Sequence, residues 1–119
     1  MQAHAGVSAH RITTSPSTRR VRVEHDGVVL AESDRALELH EGALPVRYYL
    51  PREDVRMDLL EPSATTSHCP FKGDASYFDA PGAKDAFWVY QRPIDGREDI
   101  AGLLAPWPGR VEVTVDRPD

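Results

Sequence analysis

The sequence predicts an all-β protein, a small antiparallel barrel or two packed sheets with at most one or two short helices. Three observations lead there. Several runs alternate apolar and polar residues, the pattern of a strand with one buried face. An Asp-Gly pair interrupts the first such run at Asp26 and Gly27, a strong hairpin signal. Turn-forming residues then recur at close spacing, enough to divide the chain into about seven or eight short strands.

The elements follow in order. Residues 1–18, "MQAHAGVSAHRITTSPST", mix small and polar types without an apolar period, so burial repays little of their ordering entropy. They are read as a flexible N-terminal arm, and residues 19–119 as a single β-domain. In "RVRVEHDGVVLAES" a two-residue turn at Asp26-Gly27 sets Val23 against Leu30 and Val21 against Glu32. "RALELHEG" alternates again, with Leu37 and Leu39 on one side, and stops at Gly42. "VRYYLP" is rich in strand formers and ends at Pro51, which lacks the N–H a ladder needs. "REDVRMDLLEPS" fits both periods and is read as strand or irregular chain. "EPSATTSHCPFKG" is loop by composition, with Pro62, Pro70 and Gly73 as breakers. "ASYF" and "AFWVYQ" resume as strands on either side of a "DAPGAKD" turn, and "GREDIAGLLAPW" holds at most a short helix broken by Gly102 and Pro106. The closing "RVEVTVD" turns Val111, Val113 and Val115 inward, and pairing it with the first strand of the domain would tie both ends together.

Composition narrows the function classes. The chain of 119 residues is 40% hydrophobic and 28% charged, with a net charge of -5. That field repels phosphate backbones, so no nucleic-acid partner is expected. No apolar run has the roughly 18–20 residues of a spanning helix, and the N-terminus lacks the apolar centre of a secretory signal. No membrane partner is expected, and the cytoplasm is the expected compartment. A single cysteine can form no internal disulfide and offers no Cys-Cys metal spacing, the five histidines are scattered, and no acidic pair makes a metal centre. No metal is expected.

Candidate chemistry gathers in "SHCPFKGDASY", residues 67–77. Cys69 has His68 beside it and Lys72 three residues on, and a nearby cation would lower a thiol pKa and supply a nucleophilic thiolate. Against this, adjacent side chains on an extended strand point to opposite faces, and a lone cysteine is most often a small buried apolar residue. A distant His25 or His40 could serve as base instead. Lys72-Gly73 invites a phosphate reading, yet the order is the reverse of a Walker loop, and a turn explains the glycine. "PREDVR" places Arg52 and Asp54 just past a strand end, where an arginine fork can clamp a carboxylate or phosphate. In "AFWVYQ" alternation sets Trp88 and Tyr90 on one face and Phe87 and Val89 on the other, with Tyr77 and Tyr49 able to join the Trp88 face. A cavity walled by Trp and Tyr and tipped by Lys, Arg and Asp has the make-up of a small-ligand site, although aromatics in a small β-domain are more commonly core.

The stretch "YYLPREDVRMDLLEPSATTSHCPFKGDASYF", followed by "FWVYQRP", "DIAGLLAPW" and "RVEVTVD", resembles the bacterial family known as domain of unknown function 427, over about residues 19–116. The resemblance implies a small all-β fold of tent-like or barrel sheets. It carries Arg52, Asp54, Cys69, Pro70, Lys72, Gly73, Tyr77, Trp88 and Tyr90 as the positions matching the family pattern, with Pro106-Trp107 a slight departure. A nucleotidyltransferase-like label is sometimes attached to this family. The chain displays neither the Gly-Ser loop nor the paired aspartates such a site needs.

The expectation is therefore a pocket between sheets that binds a small anionic or polar metabolite, built from Arg52, Asp54, Lys72, Gly73, Tyr77, Trp88 and Tyr90. Its rivals are a transferase or hydrolase using Cys69 and a ligand-free interaction domain. The sequence names no cofactor, and it leaves monomer and homodimer open.

Overall fold

A computed structural model describes residues 11–116. They form ten strands in three antiparallel sheets, interrupted by single 3₁₀ turns at Arg52–Asp54, Met57–Leu59 and Glu98–Ile100. The first sheet has the order β1 (Ile12–Pro16), β4 (Leu37–Glu41), β5 (Arg47–Tyr49). The second has the order β10 (Glu112–Val115), β2 (Val21–His25), β3 (Val28–Ser33). The third has the order β6 (Glu61–Cys69), β7 (Gly73–Ala80), β8 (Ala83–Val89), β9 (Leu104–Pro106). The protein is all-β as expected, with packed sheets and, among the described residues, no closed barrel.

The four-stranded sheet is the middle layer. Its Phe87 face packs on Val21, Val23, Leu30 and Val111 of the second sheet and its margin, forming one apolar cluster. Its other face carries Ala75, Tyr90 and Ala105 against Leu39 and Tyr49 of the first sheet, forming a second. Strand alternation is the cause, because Phe87 and Val89 are one residue out of phase with Trp88 and Tyr90. The first sheet is also stapled to the third edge-on: the Leu50 N–H donates to the Leu104 carbonyl at 2.8 Å and the Leu104 N–H returns the bond at 2.9 Å.

The β2–β3 hairpin turns at Asp26 and Gly27, both with positive φ (51° and 80°), the mirror-image turn that an Asp-Gly pair favours. The register differs from the expected one. A bulge between Val23 and Glu24 makes Leu30 the extra residue, so Val23 faces Ala31 and Val21 faces Ser33. Both Leu30 and Ala31 are thereby buried. The terminal strand does pair with β2, Val113 opposite Val23 and Val115 opposite Val21.

Three further expectations are corrected. The expected arm contains β1, whose residues Ile12–Pro16 pair with Glu41–Leu37, because the neighbouring strand supplies the backbone bonds its composition could not predict; residues 1–10 of that arm lie outside the described residues. The expected loop at 61–73 is mostly β6, nine residues long and polar because it is an exposed sheet edge. Pro62 is tolerated there beside a bulge. The expected short helix within 96–107 is one 3₁₀ turn followed by β9, since Gly102 and Pro106 end helical hydrogen bonding at once. The ambiguous 52–63 segment is irregular, two 3₁₀ turns around Val55, before it enters β6.

Candidate functional site

Between the first and third sheets lies a cavity of about 260 Å³. Each wall follows from alternation along a strand. On β4, Leu39 and Glu41 are two apart and share the inward face; on β5, Arg47 and Tyr49 do the same, Arg47 standing opposite Leu39 in the register. On β7 and β8, Tyr77 faces Trp88 directly, and Tyr90 follows two residues later. Trp107 and Pro108, beyond β9, and Leu44 and Pro45 of the β4–β5 connection complete the lining.

The aromatic walls hold one another in place. The Trp88 Nε1–H donates to the Tyr49 hydroxyl at 3.1 Å, with the rings edge to face at 6.1 Å. Trp88 meets Trp107 at 81° with centres 5.7 Å apart, and Tyr77 leans on Trp107 at 6.1 Å. Outside, the Arg110 guanidinium lies 3.7 Å from the Trp107 ring centre, a cation–π contact. Each aromatic pair contributes about 0.5–1.5 kcal/mol beyond area burial, so the walls are preset.

The polar atoms divide into paired and spare. Lys72 Nζ bonds Glu41 Oε1 at 2.6 Å, and their side chains are only 12% and 13% exposed. The Tyr77 hydroxyl shares a hydrogen bond with Ser67 at 2.9 Å. Arg47, by contrast, has no ion-pair partner among the described residues. The Tyr49 hydroxyl accepts from Trp88 and keeps its own proton to donate, while the Tyr90 hydroxyl has no hydrogen-bond partner among the described residues. Burial pushes the Tyr49 phenol up to about 12, opposed by the Trp88 bond, and burial likewise raises Tyr90. Both are protonated donors at neutral pH. One carboxylate against two cations leaves the lining one positive charge in surplus, on a chain whose net charge is -5.

The candidate residues from the sequence separate. Lys72, Tyr77, Trp88 and Tyr90 line the cavity. Arg52 lies elsewhere, its guanidinium 5.9 Å from the Phe78 ring centre, because Phe78 pairs with Phe87 on the opposite face of the sheet. Asp54 is also remote. It accepts from Ser33 at 2.7 Å and from Arg35 at 3.0 Å, and the Arg35 bond holds its carboxyl below the ordinary range despite opposing burial. Gly73 has φ +118°, and a Cβ there would stand 3.2 Å from the Ile94 nitrogen and 3.3 Å from the Pro93 Cα. Its role is to let two backbones approach, as a turn glycine does.

Cys69 is half-buried, packs against the second apolar cluster and lies within electrostatic reach of the Tyr49 and Tyr90 phenols, but it is outside the cavity lining. Its N-terminal neighbour faces away: His68 Nδ1 meets Asp74 at 2.6 Å. The other candidate bases are engaged too, His40 with Glu38 at 3.1 Å and His25 with Asp26 at 3.4 Å. Among the described residues no histidine is hydrogen-bonded to the thiol, and no group of three or more His, Cys, Asp or Glu is arranged to hold a metal ion.

Sequence reasoning missed Arg47, Glu41 and Trp107. The first two carried a usable signal, since Arg47 alternates with Tyr49, and Glu41 continues the Leu37-Leu39 face. Trp107 did not, because its place depends on where β9 ends.

Residues 13–117 match the family described as Domain of unknown function (DUF427). The chain belongs to that family. No curated protein matches it. Within this DUF427 domain the matched span contains every residue lining the cavity. Among the described residues no helix is long and apolar enough to cross a membrane.

Proposed function

We propose that this DUF427 domain is a binding module for a small acidic metabolite, held between the first and third sheets. The observation that carries the reading is Arg47. A cation without a carboxylate partner, set among Tyr49, Tyr90, Trp88 and Trp107, is an anion receptor in a partly desolvated place, where a charge-assisted hydrogen bond is worth most. Lys72 is read as a framework cation, because Glu41 already occupies it. The aromatic rings supply apolar contact, and the surplus positive charge selects the sign of the ligand.

The binding reading is favoured over a Cys69 enzyme by position and partners. The thiol packs against the second apolar cluster outside the cavity lining, and His68, His40 and His25 are each engaged with a carboxylate. Nucleophilic catalysis needs a base within hydrogen-bond reach.

A thermal-shift survey of carboxylates, nucleotides and sugar phosphates tests the module. At least one acidic compound is expected to raise Tm in a concentration-dependent way, and Arg47→Gln is expected to remove that rise while leaving the unliganded melting temperature in place. A survey with no stabilising compound at millimolar concentration overturns the reading in favour of a ligand-free interaction domain.

A further inference from the structure

Building on that reading, we infer that the occupant is a single-ring aromatic carboxylate, its carboxylate on Arg47 and its ring in the corner between Trp88 and Trp107.

Charge comes first. Two cations and one carboxylate line the cavity, but Lys72 and Glu41 bind each other at 2.6 Å, and both side chains are themselves little exposed. Pulling that pair apart would leave a buried unpaired charge, so it stays closed when a ligand arrives. One guanidinium remains. A monoanion balances it, whereas the second charge of a phosphate monoester would meet Glu41 without a further cation. A planar carboxylate also matches the parallel N–H donors of a guanidinium two to two.

Donor inventory points the same way. Among the spare polar atoms on the walls donors outnumber acceptors: the Arg47 fork, the hydroxyl protons of Tyr49 and Tyr90, the Trp107 Nε1–H and the remaining Lys72 protons stand against the Tyr90 hydroxyl oxygen and Glu41 Oε2. Glu41, the one carboxylate of the lining, already has Oε1 committed to Lys72. The ligand therefore brings acceptors at one end. Its other end meets rings rather than polar groups: Trp88 and Trp107 stand at 81° with centres 5.7 Å apart, a right-angled corner in which a flat ring stacks on one indole and presents its edge to the other.

Size completes the case. The cavity of about 260 Å³ is smaller than the roughly 300–1,000 Å³ typical for drug-sized ligands. One ring with an acidic substituent suits it, and a nucleotide, with a base, a sugar and phosphates, does not.

Calorimetric titration of the full chain with four probes separates the possibilities: benzoate, cyclohexanecarboxylate, benzamide and benzyltrimethylammonium. Benzoate is expected to bind tightest, with cyclohexanecarboxylate weaker by about three- to tenfold for loss of ring stacking. Benzamide and the quaternary amine are expected to bind at least about tenfold more weakly. Arg47→Gln should weaken benzoate by about 10- to 100-fold, and Tyr90→Phe by about three- to tenfold. The two variants remove different donors, and circular dichroism and melting confirm that each is folded. Equal or tighter binding of benzamide or the amine overturns the assignment, as does benzoate binding that ignores Arg47→Gln. If cyclohexanecarboxylate, or a sugar phosphate from the thermal-shift survey, binds in an Arg47-dependent way and benzoate does not, the ring assignment falls while the acid-binding module stands. If no compound binds at all, both fall.

Discussion

The two faces of the four-stranded sheet are made by alternate residues of the same strands, yet they differ in kind. Toward β2, β3 and β10, Phe87 joins Val21, Val23 and Leu30 in solid apolar packing, each of these residues 1% exposed or less. Toward β4 and β5, Trp88 and Tyr90 meet Tyr49, Arg47 and a Lys72–Glu41 pair around an open space. Parity along a strand, rather than distance along the chain, therefore decides whether a residue supports the fold or faces the cavity. The first face stabilises by excluding everything. The second gives up packing density in order to present donors.

The contrast is most sharply tested by Phe87→Ala, which should cost about 3–5 kcal/mol in chemical denaturation, since the closed face leaves the void with little means to collapse. A loss below about 1 kcal/mol would mean that this face is as yielding as the other. Next comes Lys72→Met, expected to destabilise by about 3 kcal/mol because it leaves Glu41 buried and unpaired. Adding Glu41→Gln should restore much of that stability, and a double variant no better than the single one would refute the pairing as the cause. The smallest effect concerns Tyr49. Its folded pKa of about 12 lies above the ordinary phenol value of about 10, so the folded chain keeps a proton that the unfolded chain releases. The stability contributed by Tyr49 should be flat below about pH 10 and fall as pH rises from there toward 12. Comparing urea midpoints at about pH 9 and pH 11 checks this. The drop should shrink in Tyr49→Phe and persist in part through Tyr90, whose phenol is raised in the same direction. An identical drop with and without the Tyr49 hydroxyl would show that it is freely solvated.

Much of this architecture is legible in local pattern, and the limits are physical. Asp26-Gly27 announces its hairpin because few residues reach positive φ cheaply. The split of Phe87 and Val89 from Trp88 and Tyr90 is readable because the side-chain period of a strand is two. The Leu30 bulge is not, since it depends on which of two adjacent apolar residues the opposite layer accommodates. Nor is β6, whose Ser, Thr and His are indistinguishable from loop until β7 gives its backbone a partner. At the site, Lys72, Tyr77, Trp88 and Tyr90 could be drawn together by face. Arg52 could not be ruled out, nor Arg47 preferred, without knowing that Leu50 and Leu104 clasp each other and so bring β5 against the sheet. The Lys72–Glu41 bond spans 31 residues, and no periodicity encodes it.

Trp88 and Trp107 are the two tryptophans of the whole sequence, and they touch. Ultraviolet-excited indole emission from this protein therefore originates at one wall of one cleft, with a guanidinium pressed against the second ring. The molecule has a built-in optical reporter: a solute settling there would alter brightness or colour without any attached dye, while repacking around Phe87 would register only indirectly, through the sheet that separates the two layers.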